Sequence, residues 1–131
     1  RRATKARPQE GSILHEEEIA KAMREATSDA EVHAFIELRS VREETARNYL
    51  ACAERLDAVA RKGGYPEGMR STAAFIRYVY ARMKTQLTGG ASTLTYQRSA
   101  LEFRERVEGA TDPWTDDEHI RRCVSIHLFE G

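Results

Sequence analysis

The chain has 131 residues, 40% hydrophobic and 32% charged, with Lys plus Arg equal to Asp plus Glu at 21 each. That length fits one domain whose core closes without a metal or disulfide, and the balance excludes a disordered or low-complexity chain. No apolar run approaches the ~18 residues of a membrane span, and the opening RRATKARPQEGS lacks a secretory signal's apolar block, so a soluble cytoplasmic chain without a membrane partner is expected.

Apolar residues recur with a period of 3.6 throughout, and no stretch alternates with period 2 for long enough to propose a strand. The expectation is an all-α, compact orthogonal bundle of five to six helices. Residues 1–11 read as a basic tail and 12–131 as one helical domain, in which 12–27 form an extra N-terminal helix. Ser12 caps that first helix, over about 13–26, with Ile19, Met23 and Ala26 as its stripe. Ser28-Asp29-Ala30-Glu31 is a capping box, followed by Val32, Phe35 and Ile36 as a buried face. A second box, Ser40-Val41-Arg42-Glu43, opens a long helix over 41–62, lined by Tyr49, Cys52, Ala53, Leu56, Val59 and Ala60 and stopped by Gly63-Gly64.

The loop GGYPEGM leads to Ser71 and a helix with Phe75, Ile76, Val79, Tyr80, Met83 and Leu87 on its inner side, closed by Gly89-Gly90. Ser92 or Thr93 opens the next helix, over 93–108, which carries Leu94, Tyr96, Ala100, Leu101, Phe103 and Val107. After an Asp112-Pro113-Trp114 corner, a third box, Thr115-Asp116-Asp117-Glu118, begins a final helix with Ile120, Cys123, Val124 and Leu128 inside. Cys52 and Cys123 sit in apolar patterns, as reduced core thiols do.

Charge is unevenly spread. Residues 61–100 carry seven basic and one acidic residue, between acidic segments 11–60 (six basic, eleven acidic) and 101–131 (four basic, eight acidic). His15-Glu16-Glu17-Glu18 begins like a zinc-protease HExxH motif, but position 19 is Ile. His119, Cys123 and His127 share one side of the last helix without a fourth ligand, and the glycines around Tyr65 lack the Lys and preceding strand of a phosphate loop. No metal, no cofactor and no catalytic residue is expected from these residues.

The order of elements from about residue 28 carries more. LRSVREETARNYLACAERLDAVARK, the helix STAAFIRYVYARMKTQL, then STLTYQRSALEFRERVEG, an Asp-Pro-Trp corner and DDEHIRRCVSIHLFEG follow one another. This series resembles the N-terminal core-binding domain, a SAM-like helical bundle, of the tyrosine recombinase or phage integrase family. Thr45 four residues before Tyr49, the Ser92-Thr93-Leu94 start followed by Ser99-Ala100-Leu101, and the Asp112-Pro113 step carry the likeness.

The resemblance implies a domain that grips double-stranded DNA at a recombination half-site, with other recombinase protomers alongside, in a bacterial, archaeal or phage-encoded protein of the nucleoid. It implies that helices 41–62 and 93–108 face the DNA, through Thr45, Arg47, Asn48, Ala51, Arg55, Ser92, Thr93, Thr95 and Arg98. Helical-wheel arithmetic agrees in part, since Arg47, Ala51 and Arg55 fall opposite Tyr49, Ala53 and Leu56. The family's chemistry belongs to a separate C-terminal catalytic domain, which these residues do not supply. His119 and Arg122 match an HxxR pair only by chance. Zero net charge is low for a phosphate-binding domain, so a helical protein-interaction module that never touches nucleic acid is the alternative.

Overall fold

The computed structural model describes residues 9–85 and 91–125, the side chains of residues 9–14, 91 and 92 excepted. Within them the chain is all-helical: α1 (Gln9–Glu25), α2 (Asp29–Leu38), α3 (Glu43–Lys62), α4 (Thr72–Thr85), α5 (Ala91–Glu108), a 3-10 turn (Trp114–Asp116) and α6 (Glu118–Val124). None of the described helices is long and apolar enough to cross a membrane. The chain divides into two compact units, Arg1–Val32 and His33–Gly131, with the division inside α2. Gly89, Gly90 and Leu128 lie outside the described residues.

In the first unit α1 starts at Gln9, so Ser12 lies within the helix rather than capping it. The Ser28 box does form: the Glu31 N–H donates to Ser28 Oγ at 3.3 Å, and the Ser28 hydroxyl donates to Glu31 Oε1 at 3.4 Å. The face expected to be buried on α2 is not. Val32, Phe35 and Ile36 are all exposed, and the Arg39 guanidinium lies 3.5 Å over the Phe35 ring. From the second unit's part of α2, His33 Nε2 donates to the Arg106 carbonyl at 2.8 Å and Glu37 meets Arg106 at 3.4 Å, tying the end of α2 to the last turns of α5.

The Ser40 capping box does not form, because the Ser40 hydroxyl donates back to the Glu37 carbonyl at 2.7 Å and finishes α2. Arg42 precedes α3 without a side-chain cap. The core of the second unit gathers Cys52, Ala53, Leu56 and Ala60 of α3, Ala74, Phe75 and Val79 of α4, Leu94, Ala100 and Leu101 of α5, Ile120 and Cys123 of α6, and Met69 from the loop. Tyr49 is set between Tyr96 and Phe103 of α5, ring centroids 5.3 and 5.5 Å away. Burial pushes the Cys123 thiol up, and also the Cys52 thiol against the opposing charge of Arg55, as suits inert core cysteines.

Two polar clamps built on α5 hold the loops. In the first, Arg104 donates to Asp57 Oδ2 at 2.6 Å and to the Met69 carbonyl at 2.7 Å, while the Met69 N–H donates to Asp57 Oδ1 at 2.8 Å. Both backbone groups of one buried loop residue are thereby satisfied by a buried ion pair. Gly68 makes this possible: its φ is +91°, and a Cβ there would stand 2.6 Å from Asp57 Oδ1. In the second clamp the Glu105 carboxylate accepts from the Trp114 N–H at 2.9 Å and from the Thr115 hydroxyl. Arg98 Nε donates to the Thr115 carbonyl at 3.0 Å. Thr115 is thus turned inward and cannot cap α6. Asp117 does so instead, accepting from the His119 N–H at 2.8 Å. Ser71 caps α4, accepting from the Ala74 N–H at 3.1 Å.

Candidate nucleic-acid interface

α3 is amphipathic because Tyr49, Cys52, Ala53, Leu56 and Ala60 pack inward, and this turns the opposite side to solvent. Arg47, Asn48, Ala51 and Arg55 all stand on that exposed side. The stripe continues through Ala58 and Lys62, both exposed, so that cations and alanines alternate at 47, 51, 55, 58 and 62 over about 22 Å of helix. Alanines between the cations keep the face shallow enough for a backbone to approach. Carboxylates share its margins: Glu43 pairs with Arg47 at 3.5 Å, and Glu44 and Glu54 are exposed nearby. Arg55 and Lys62 have no carboxylate within ion-pairing distance among the described residues. Thr45 is half-buried at the edge.

α5 meets this face at its N-terminal half. Thr95 and Tyr96 are exposed, and Tyr96 abuts Tyr49. Partial burial raises the Tyr96 phenol above its ordinary range, as do Cys52 and Tyr49, against the lowering influence of the Arg55 charge. Tyr96 is therefore near enough to Arg55 to feel its charge, beside the exposed side of α3. Arg98 departs from the expected arrangement. It is half-buried, donates to the Thr115 carbonyl and pairs with Asp116 at 3.6 Å, which places it under the Pro113–Asp116 corner and away from the stripe. Thr93 is half-buried, and the Ser92 side chain lies outside the described residues, though both residues sit in the first turn of α5.

Comparison with protein-family models, curated proteins and solved structures returns no match.

Tyr96, Ala58 and Lys62 are the members of this surface that the sequence reading missed. Lys62 carried a usable signal, since it lies seven residues after Arg55 and so returns to within about 20° of its wheel angle. Tyr96 carried none, because an aromatic on a helix reads as core until its neighbours are known. Among the described residues no group of three or more His, Cys, Asp or Glu is placed to hold a metal, and His127 lies outside them.

Proposed function

We propose that the chain binds duplex DNA through the outward side of α3 and the adjoining start of α5, as the core-binding half of a tyrosine recombinase or integrase. The observation that carries this reading is the exposed stripe Arg47-Ala51-Arg55-Ala58-Lys62, unbroken by any carboxylate along its own line. A helix of this kind enters a major groove with its cations on the flanking phosphates and its small residues against the base edges. Tyr96 beside Arg55 adds an aromatic surface with a hydroxyl for a phosphate or sugar. The resemblance of the helix order to core-binding domains supports the same surface, and strand cleavage then falls to the family's separate catalytic domain.

The test is fluorescence anisotropy with a labelled duplex at low salt, using the unaltered chain and the variant Arg47→Glu with Arg55→Glu. Each lost phosphate contact removes a salt-dependent share of affinity, so the double reversal weakens binding at least about 10-fold while circular dichroism stays unchanged. Equal retention of duplex DNA by both proteins would overturn the reading.

A further inference from the structure

The end of α3, the loop after it and α4 enclose a groove of about 240 Å³, and no member of the cationic stripe on α3 lines it. Its inner wall is Ala60, Met69 and Ala74, none more than 5% exposed. Tyr65, Tyr78 and Tyr80 supply aromatic sides. Two of these tyrosines are held in place. The Tyr65 N–H donates to the Ala60 carbonyl at 2.9 Å, and the Tyr78 hydroxyl accepts from Arg82 at 3.3 Å while its ring stands 6.0 Å from that of Phe75. The groove is thus formed before anything enters it, as small-molecule sites usually are.

The lining selects an occupant by charge, polarity and size. Among the described residues Arg77 is the one charged residue that lines the groove, and it is exposed. α4 contains no Asp or Glu, and among the described residues Arg77 has no carboxylate within ion-pairing distance. A cation is therefore repelled and an anion attracted. Apart from Arg77 and the tyrosine hydroxyls the lining side chains are apolar, so a molecule polar all round would lose hydration without recovering hydrogen bonds. The volume falls just short of the roughly 300–1,000 Å³ that holds a drug-sized ligand, which leaves room for a single ring with a short substituent.

We propose that this groove is a binding site for a small aromatic carboxylate, its ring set among Tyr65, Tyr78 and Tyr80 and its carboxylate accepting hydrogen bonds from the Arg77 guanidinium. Offset contact with the tyrosine rings favours a flat aromatic body over an alkyl chain. The charge-assisted bond to Arg77 favours the anion over its neutral amide. The site stands apart from the α3 stripe, so it neither needs DNA binding nor supports it.

An amide NMR titration of the full chain with cinnamate tests this, with cinnamamide as the neutral counterpart and octanoate as an anion without a ring. Cinnamate shifts the amides of Gly63, Tyr65 and Ala81, which line the groove, and saturates with a dissociation constant of about 1 mM or tighter. Each control binds at least about 3-fold more weakly, one lacking the charge-assisted bond and the other the ring contacts. Arg77→Gln, at an exposed position, lowers cinnamate to the level of cinnamamide and leaves cinnamamide unchanged. Ala81→Trp, also exposed, fills the groove and removes binding of both. Circular dichroism shows whether each variant keeps its helicity, and should Ala81→Trp lose it, Arg77→Gln decides alone. No shift up to about 5 mM cinnamate, equal binding of cinnamamide or octanoate, an Arg77→Gln variant that holds cinnamate as well as the unaltered chain, or shifts gathered around Arg47 and Arg55 instead would overturn the proposal.

Discussion

Arg104 shows how much one residue can organise. Its guanidinium neutralises Asp57 and caps the Met69 carbonyl inside the second unit. Removing one member of a buried ion pair leaves the other uncompensated, at a cost of about 3–5 kcal/mol. Arg104→Met is accordingly expected to lower the urea midpoint sharply. Burial opposes ionisation of Asp57, but the Arg104 and Met69 hydrogen bonds and the charges of Arg104 and Arg70 outweigh it and hold the carboxyl below its ordinary value. A carboxyl whose pKa is lower folded than unfolded stabilises the fold fully above the unfolded value, about 3.9. That contribution is lost as pH falls through the folded pKa. Urea midpoints measured from pH 6 down to 2 should therefore drop at the acid end, and Asp57→Asn should flatten that drop while lowering the midpoint at neutral pH. Gly68→Ala combines an unfavourable positive φ with a Cβ driven onto Asp57, and should cost roughly 2 kcal/mol or more in the same assay.

At the scale of elements, helices were legible where their faces are set by one-turn spacing. Tyr49, Cys52, Leu56 and Ala60 announce the inner side of α3, and Arg47, Ala51 and Arg55 therefore had to lie outside. Helix starts were less legible, because a serine or threonine has several competing partners. Ser40 chose the carbonyl of the helix behind it, and Thr115 chose Glu105 on another helix. The cap of α6 offers a measurement: Asp117→Ala should cost about 1 kcal/mol, whereas Thr115→Val leaves Glu105 short of a donor and should cost about 1–3 kcal/mol. Thermal unfolding of the two variants separates the cap seen in the structure from the one expected at Thr115. Arg98 escaped the sequence reading for the same reason. Its partners, Thr115 and Asp116, are seventeen and eighteen residues away and meet it only when α5 and the corner are in place.

The whole molecule is neutral, yet its charge is sorted. The cationic stretch from residue 61 to 100 contributes Arg61, Lys62, Arg70, Arg77 and Lys84 to the surface, while Arg82 is buried and Arg98 half-buried. Fewer cations thus reach solvent than the count suggests. With Arg55 and Lys62 outside ion-pairing distance of any carboxylate among the described residues and Arg47 shared with Glu43, a bound duplex would meet two or three of them on α3. The slope of log K against log salt should then be about −2 to −3, measured by anisotropy between low and moderate salt. A much steeper slope would place the contact on a broader surface than the α3 stripe.

By itself the sequence determined that the chain is helical, roughly where each helix lies and which side of α3 faces out, because these follow from hydrogen bonds and side-chain spacings within a turn or two of one helix. Only the tertiary structure decided that Asp57, Arg104 and Glu105 go inside while Phe35, Tyr80 and Met83 stay in water. A charge can be buried only where a partner 47 residues distant arrives to neutralise it, and an apolar side chain is covered only where another element lies across it. Both conditions depend on how helices cross, which no local period encodes.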